Sequence, residues 1–441
     1  MKPQNYRKLL LALGSVLVTN ALISTPVHAI ELSSTVEDAI LNSPEFRQQV
    51  KLTQGVDADL SNAEGSWLPK VDLAAGIGKE ITDNQSGTAD LTRQEASVRV
   101  TQNLFEGFGT VNEIKRQEAR LTAERLNIEA TANQVALDMT TAYINLLKEQ
   151  QLLNLSKESV VTHQRILDQI NQRTQGGVGT TVELNQAQAR LALANANLAA
   201  SKNNYQDALS RFHRVLGRFP DSDLVAPGKD FILPNTLEEA TNFALLNHPS
   251  LRAANSDIME TRAQHAVAQK AFYPQVDFEL QKTYDRNING VEGGDENFQA
   301  MFRMRYNLYN GGKDSATTDR TASQIYQAAE VRNQTRRETI ENLRYAWEAK
   351  NYILEQLRFQ QSQIQLTKST LEGYREQFRI GQRSLLDLLN TENEYLTART
   401  SLIKSDADLK IAQYRILNGM GALVGALNID INYEQLAQNV R

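Results

Sequence analysis

The chain repeats itself once, and this internal repeat constrains the fold more than any other feature of its 441 residues. Trp67-Leu68-Pro69 is matched by Phe272-Tyr273-Pro274 at an offset of 205 residues. Asn103-Leu104-Phe105 is matched by Asn307-Leu308-Tyr309 at an offset of 204 residues. A register held over so long a stretch predicts two structurally similar halves.

The placement of proline separates the two halves. Three of the nine prolines, Pro220, Pro227 and Pro234, lie close together near the middle of the chain. Because proline neither continues a helix nor donates to a sheet ladder, they predict an irregular connector. The chain therefore divides into a first repeat at 30–217, a connector at 218–235, a second repeat at 236–421 and a carboxyl-terminal tail at 422–441.

Residues 1–29 have the pattern of a secretory signal peptide. Basic residues at Lys2, Arg7 and Lys8 precede an apolar run from Leu9 to Val18. A short membrane anchor is the alternative, but the run is well below the roughly 20 residues that a spanning helix needs. No later stretch is apolar enough for such a helix, so we expect any membrane-inserted part to be a β-barrel.

A β-hairpin is predicted in each half. Val71, Leu73 and Ile77 alternate with smaller or polar residues, which is the period of a strand, and the second half repeats the pattern. We expect strands of about ten residues, the length that crosses a bilayer when tilted. Polar loops at 82–95 and 285–297 are expected to join the strands of each hairpin.

Two kinds of helix surround each hairpin. One precedes it, at 33–65 and at 237–271, and ends where the residue before a proline is pushed into extended geometry. The other follows it, because 110–175 and 313–372 lack both glycine and proline and are rich in helix formers. At 1.5 Å per residue, about 65 helical residues span roughly 100 Å, far more than a globular core requires.

The last helix of each half carries a seven-residue repeat, which predicts left-handed coiled-coil packing, with an ordinary bundle helix as the alternative. The repeated positions are Leu184, Leu191, Leu198, Tyr205 and Phe212, then Leu388, Tyr395, Leu402, Leu409 and Ile416. The predicted fold is thus mainly α, with long coiled-coil helices and four strands in each chain.

Four strands cannot close a barrel, and open edges cannot face lipid. If the hairpins are membrane strands, the chain must therefore oligomerise. Two copies give 8 strands and three copies give 12, and a water-filled lumen needs more than about eight. The long helices are then expected to project from the barrel and form a helical tube.

Composition excludes several other classes of function. A formal net charge of −5 argues against a nucleic-acid partner, which would require a basic face. The absence of cysteine excludes disulfides, thiolate metal sites and cysteine nucleophiles. The five histidines show no metal-ligand spacing, and no catalytic or cofactor motif is present. We therefore predict neither an enzyme nor a cofactor or metal site.

Taken together, these features resemble the TolC family of outer-membrane efflux and secretion channels. The repeat, the strand entries at Pro69 and Pro274, the segments 103–107 and 307–312, and the segment 381–390 carry the resemblance. It implies a homotrimer whose 12-stranded β-barrel sits in the lipid of the cell outer membrane and whose α-barrel extends into the periplasm. It also implies docking to a periplasmic adaptor and to an inner-membrane ABC transporter or other pump.

Within this family we favour type I protein secretion of adhesins, because the chain lacks the lipidation cysteine of many drug-efflux members and is similar to agglutination-protein-type members. Drug or small-molecule efflux is the alternative. A periplasmic coiled-coil protein without a pore is a further alternative, which would explain the heptads but not the hairpins.

The free end of the helical tube is the expected gate, because helices can splay there without breaking lipid contacts. The predicted tip turns contain Gly176, Gly177, Gly179 and Gly381, since glycine permits a chain reversal.

The resemblance assigns roles to five polar or aromatic residues near these turns. It places Asp387 and Asn390 at the pore constriction, where the family pattern has two aspartates, so that three subunits carry three carboxylates there. Asp387 can also be a helix-start acid favoured by the helix dipole. It places Glu183 and Arg383 in a charged gate tie, and Phe378 where a tyrosine hydroxyl often makes a second tie, which phenylalanine cannot form.

Four aromatic residues lie at the ends of predicted strands, where they are expected to form an aromatic girdle at the membrane interface. These residues are Phe105, Phe108, Tyr306 and Tyr309.

Overall fold

The structure is a computed structural model that describes residues 31–85, 87–228 and 231–433. The predicted signal peptide at 1–29 lies outside the described residues, as does the end of the tail beyond Tyr433.

The two repeats have the same order of elements. The first contains α1 (Leu32–Asn42), α2 (Pro44–Gly65), β1 (Lys70–Asn84), β2 (Gly87–Glu106), α3 (Gly109–Gln175) and α4 (Thr181–Leu216). The second contains α5 (Leu237–Asn247), α6 (Pro249–Ala268), a 3₁₀ helix (Gln269–Phe272), β3 (Gln275–Arg286), β4 (Gly294–Arg305), α7 (Lys313–Arg379) and α8 (Leu385–Gly419). A short helix, α9 (Leu423–Ala426), follows in the tail.

The prediction of one continuous helix before each hairpin was wrong. Ser43 adopts an extended conformation between α1 and α2, and His248 does the same between α5 and α6. The cause is the following proline, which disfavours helical geometry in the residue before it. The Ser43 side chain then accepts a hydrogen bond from the Phe46 N–H at 3.1 Å and so caps α2.

The prediction of a long polar loop at 82–95 was also wrong, and the predicted loop at 285–297 is shorter, at 287–293. The strands have 15, 20, 12 and 12 residues, and the β1–β2 ladder continues as far as the pair Asn84–Gly87. In the second hairpin the ladder reaches Arg286–Gly294. Polar residues occupy these strand ends because an antiparallel sheet can expose its side chains to water, so polarity alone does not mark a loop.

A single antiparallel sheet joins the two repeats. Its four strands lie in the order β1-β2-β3-β4, which leaves β1 and β4 at the edges. One face carries exposed apolar side chains, including Leu73, Ile77 and Phe302. The other face carries ion pairs such as Arg303–Glu279 at 2.9 Å. The first face is mainly apolar, but it also carries the ion pairs Lys79–Asp90 and Lys282–Glu296.

The long helices are confirmed at 67 residues each, which corresponds to roughly 100 Å of α3 and of α7. Helix α3 packs against α4 and α8, and α7 packs against α8. The four helices therefore follow one another in the order α4-α3-α8-α7. In the described parts of the chain, no helix is both long and apolar enough to cross a membrane.

The main hydrophobic core lies midway along the helices and includes the tail. Tyr143 is fully buried there and donates a hydrogen bond to the carbonyl of Val225 in the connector at 2.7 Å. Leu423 and Val424 of α9 are buried in the same core. Connector and tail thus hold α3 at the level where the two repeats meet.

Candidate gate at the helix tips

The predicted tip glycines lie in the two turns that reverse the long helices. Gly177 and Gly381 have φ angles of 76° and 79°, in the left-handed region that favours glycine. Gly176 caps the end of α3. A Cβ atom on Gly179 would lie 2.7 Å from Thr174 Oγ1, so this close approach of the chain to itself requires glycine.

Both returning helices start with a side-chain cap. Thr180 and Glu183 form a capping box at the start of α4, in which the Thr180 N–H donates to the Glu183 carboxylate at 2.9 Å. At the start of α8, the Asp387 N–H donates to Ser384 Oγ at 3.1 Å. Glu183 and Asp387 thus occupy the first helical turn, where the dipole favours an acid.

Arg383 contacts residues of its own helical hairpin, which consists of α7, the tip turn and α8. Its Nε donates to Gln377 Oε1 at 3.0 Å, and its Nη1 lies 3.6 Å from Asp387 Oδ2. Its guanidinium also lies over the Tyr374 ring, 4.3 Å from the centroid. The contacts found among the described residues do not join Arg383 to Glu183, so the charged tie remains a prediction.

Asn390 forms a hydrogen bond that links the α3–α4 helical hairpin to the α7–α8 helical hairpin. It lies one turn beyond Asp387 on α8 and accepts a hydrogen bond from Arg190 Nη2 at 3.1 Å. Arg190 belongs to α4, so this bond joins the two returning helices close to the tip. Asp387 and Asn390 are both reached by solvent.

Phe378 is a packing residue of the tip. It is buried in a hydrophobic cluster, here called the tip core, that consists of Ile166, Ile170, Ala187, Leu371, Phe378, Leu385, Leu388 and Leu389. The guanidinium of Arg173 lies 4.9 Å from the centroid of the Phe378 ring, within the range of a cation–π contact. The tip core contains residues of all four long helices.

An ion pair between Arg375 and Glu392 links α7 to α8. The sequence did not reveal this pair. Arg375 Nε donates to Glu392 Oε1 at 2.9 Å, and Glu392 is buried. Both line a cavity of about 760 Å³ between α3 and α7, together with Arg173 and Arg379. A buried glutamate on a heptad helix has no sequence signature, because its burial depends on the neighbouring helix.

His163 is buried on α3 in the same region. Its Nδ1 has no hydrogen-bond partner among the described residues. Burial lowers the pKa of His163 below its usual value; the charge of Glu392 opposes this effect and that of Arg190 adds to it. Among the described residues, no three histidine, aspartate or glutamate side chains are grouped as a metal site would require.

The four predicted interface aromatics lie where the sheet meets the long helices. Phe105 contacts Phe108 edge to face, with ring centroids 5.5 Å apart. Phe108 is largely exposed and takes a left-handed conformation just before α3. Tyr306 and Tyr309 are exposed in the turn between β4 and α7.

Comparison with known families identifies the chain. Residues 35–218 and 241–422 match the profile described as outer membrane efflux protein. The chain belongs to the outer membrane efflux protein family. The two matched stretches correspond to the two structural repeats.

Relatives of the chain also support this family, and the similarity extends over nearly the whole length of the chain. The outer membrane efflux protein BepC of Brucella suis is 22% identical over 411 residues, which covers 93% of this chain and 88% of BepC. The outer membrane protein TolC of Vibrio cholerae is 21% identical over 418 residues, which covers 93% of this chain and 95% of TolC.

A solved structure shares the fold. The Campylobacter jejuni CmeC outer membrane channel superimposes with a TM-score of 0.80 at 17% identity, over 93% of this chain and 90% of CmeC. As a member of the outer membrane efflux protein family, the protein is an outer-membrane transport channel.

Proposed function

We propose that three copies of this chain form the outer-membrane duct of a tripartite exporter. The observation that carries the proposal is the four-stranded sheet, which has two free edges and one exposed apolar face. Free edges are not stable in lipid, and three copies joined edge to edge make a closed barrel of 12 strands. The apolar face then contacts outer-membrane lipid, and the charged face lines the lumen.

The long helices supply the rest of the duct. Helices α3 and α7 extend roughly 100 Å from the sheet, enough to reach far into the periplasm. In a ring of three chains, the four long helices of each copy make a 12-helix tube. Its tip is the part that meets a periplasmic adaptor and an inner-membrane pump.

We place the gate at the tip. In a trimer, Asp387 contributes three carboxylates to a ring at the start of α8, and Asn390 contributes no charge. A ring of carboxylates attracts cations and repels anions, so the closed tip favours cations. Arg383 of one copy and Glu183 of the next are the charged tie that holds the tip closed.

We propose protein as the cargo, passed on by an inner-membrane ABC transporter through the adaptor. The cysteine-free composition supports this choice, because the chain cannot carry the lipidated cysteine of many small-molecule exporters. Small-molecule efflux is the second candidate, and the likeness to the efflux protein BepC favours it.

Two measurements test the proposal. The full chain, recovered from outer-membrane fractions, should migrate as a heat-modifiable trimer and show single-channel conductance in planar bilayers. Trimers without conductance would instead support a coiled-coil protein without a pore.

A strain that lacks the chain separates the two cargoes. Loss of secreted proteins with unchanged susceptibility to toxic small molecules supports protein secretion. Unchanged secretion with increased susceptibility supports small-molecule efflux.

A further inference from the structure

A cavity at the helix tips is formed by both helical hairpins. It has a volume of about 760 Å³ and is lined by residues of α3, α7 and α8 and of the turn after α3. Cavities of roughly 300–1,000 Å³ are the size that small organic ligands occupy in proteins. Asp387 and Asn390 are not among the lining residues, so the cavity is separate from the proposed pore constriction.

The cavity is more basic than the chain that contains it. Its lining has four arginines and two glutamates, whereas the whole chain has a formal net charge of −5. The arginines are Arg165, Arg173, Arg375 and Arg379, and the glutamates are Glu376 and Glu392. With all six groups charged, the positive groups outnumber the negative ones by two, which favours an anionic ligand.

Half of this positive charge is already balanced within the cavity wall. Arg375 pairs with Glu392, and Arg379 pairs with Glu376 at 2.7 Å. The remaining two arginines are not paired with a carboxylate among the described residues. They are therefore the residues that can hold the acidic group of a ligand.

The two unpaired arginines, Arg165 and Arg173, lie on one face of α3. They are eight residues apart, which corresponds to about 12 Å along the helix, and Gln169 between them also lines the cavity. The guanidinium of Arg173 lies 4.9 Å from the centroid of the Phe378 ring and points one N–H group at the Phe378 carbonyl. A guanidinium has five N–H donors, so Arg173 is held in place and keeps donors for a ligand.

The rest of the lining includes apolar side chains. Ile166, Phe378 and Leu388 belong to the tip core and also line the cavity. Val178, in the turn after α3, lines it as well and is 74% exposed. A ligand with an apolar group removes this surface from water when it binds. The lining thus fits an anion that also carries an apolar group.

We propose that this cavity is a binding site for a small organic anion with an apolar group, namely an aromatic or alkyl carboxylate. Arg165 and Arg173 bind the carboxylate, and the apolar group lies against Val178 and the tip core. A guanidinium presents its N–H donors in a planar fork that matches the two oxygens of a carboxylate. The site goes beyond the proposed function, because it does not depend on what the duct carries.

The bound anion joins the two helical hairpins. Arg165 and Arg173 belong to α3, and Phe378 belongs to α7, so the site is complete only while the hairpins are in contact. A molecule that binds this arrangement better than a separated one shifts the equilibrium towards it. The ligand therefore stabilises the tip in the arrangement described above.

Two probes that share one ring system and differ in charge test the site. They are naphthalene-2-carboxylate, which is an anion, and naphthalene-2-carboxamide, which is neutral. Isothermal titration calorimetry of the purified full chain in a neutral detergent should show saturable binding of the carboxylate. The carboxamide should bind at least about tenfold more weakly, because it lacks the charge-assisted hydrogen bonds to the arginines.

A variant of Arg165 places the binding in the cavity. Arg165 is exposed and takes no part in the contact between the hairpins, so Arg165→Gln removes a ligand group without altering the tip. Affinity for the carboxylate should fall at least about tenfold. The matched control, Arg337→Gln, removes the same charge from an exposed arginine of α7 outside the cavity and should leave the affinity unchanged.

The outcomes separate this site from the proposed function. Weaker binding of the carboxylate in Arg165→Gln, with unchanged binding in Arg337→Gln, supports the site. Equal affinities for the two probes, an equal effect of the two substitutions, or no saturable binding of the carboxylate overturns it. These measurements require neither conductance nor an assembled ring, so their failure leaves the proposed duct intact.

Discussion

The guanidinium of Arg173 lies 4.9 Å from the centroid of the Phe378 ring, and its Nη1 points to the carbonyl of Phe378 at 3.5 Å. Arg173 ends α3 of the first repeat, and Phe378 ends α7 of the second. This contact therefore joins the tip of the α3–α4 helical hairpin to the tip of the α7–α8 helical hairpin within one chain.

Replacement of Arg173 should loosen the closed tip. A cation–π contact is worth about 0.5–2 kcal/mol, and in the proposed trimer three such contacts act on one gate. We expect Arg173→Ala to raise the resting conductance in planar bilayers. Arg165→Ala is the matched control, because Arg165 lines the same cavity and, among the described residues, no aromatic ring lies beneath its guanidinium. Equal conductance of the natural chain and Arg173→Ala would count against this role.

Loss of Arg375 should destabilise the tip more than loss of a surface arginine. Arg375→Ala leaves the buried Glu392 without its partner, and breaking a buried pair costs up to about 3–5 kcal/mol. Because Arg375 itself is half exposed, we expect the lower part of that range. Thermal unfolding of the purified protein is the measurement.

Two further variants test the cause of this effect. Arg379→Ala removes an arginine from the exposed pair with Glu376 and should change stability by no more than about 1 kcal/mol. The double variant Arg375→Ala with Glu392→Gln should recover part of the loss, because it removes the unpaired buried charge. A double variant as unstable as Arg375→Ala would show that the charge is not the cause.

Stability should depend on pH through His163. Burial lowers the pKa of this histidine below its ordinary 6.5, so the unfolded chain takes up the proton first as the pH falls. The stabilising contribution of neutral His163 is therefore fully present above pH 6.5. It declines as the pH falls below 6.5 towards the lower pKa of the folded state. His163→Leu should reduce this decline.

The control for His163 is His213→Leu, which alters a histidine of α4 outside the tip core. Melting temperatures are compared above and below pH 6.5 in the natural chain and in both variants. If His163→Leu and the natural chain lose the same stability on acidification, the decline comes from other groups.

Cation selectivity should follow the number of carboxylates at the start of α8. Asp387→Asn removes the three charges of the proposed ring, and Asn390→Asp doubles them to six. The reversal potential across a salt gradient should fall in the first variant and rise in the second, because like charges add to the local field. Equal reversal potentials in both variants would place the selectivity filter elsewhere.

The tail should contribute to stability through one buried amide. Asn133 Oδ1 accepts hydrogen bonds from the N–H groups of Leu423 and Val424, at 3.0 Å and 3.3 Å. Asn133→Ala leaves both donors without this partner in the core, at a cost of about 1–3 kcal/mol. Thermal unfolding measures the effect, and Gln134→Ala on the exposed neighbouring position should be nearly neutral.

Most of the architecture could be predicted from the sequence, because it depends on local periodicity. The stretch free of glycine and proline after Gly109 became one helix of 67 residues. The two segments that carry the seven-residue repeats form α4 and α8. The predicted sheet was correct in type but wrong in extent, because the polar residues at 82–84 and 87–95 lie within paired strands.

Only the tertiary structure decided which residues form the tip. Glu392 looks like an ordinary surface acid of a heptad helix until α7 places Arg375 beside it. Phe378 was expected at a tie between helices, and the structure buries it in the tip core beneath Arg173. Periodicity fixes the face on which a side chain lies, but its contacts depend on which helix covers that face. That choice is made by the order of the helices within the chain.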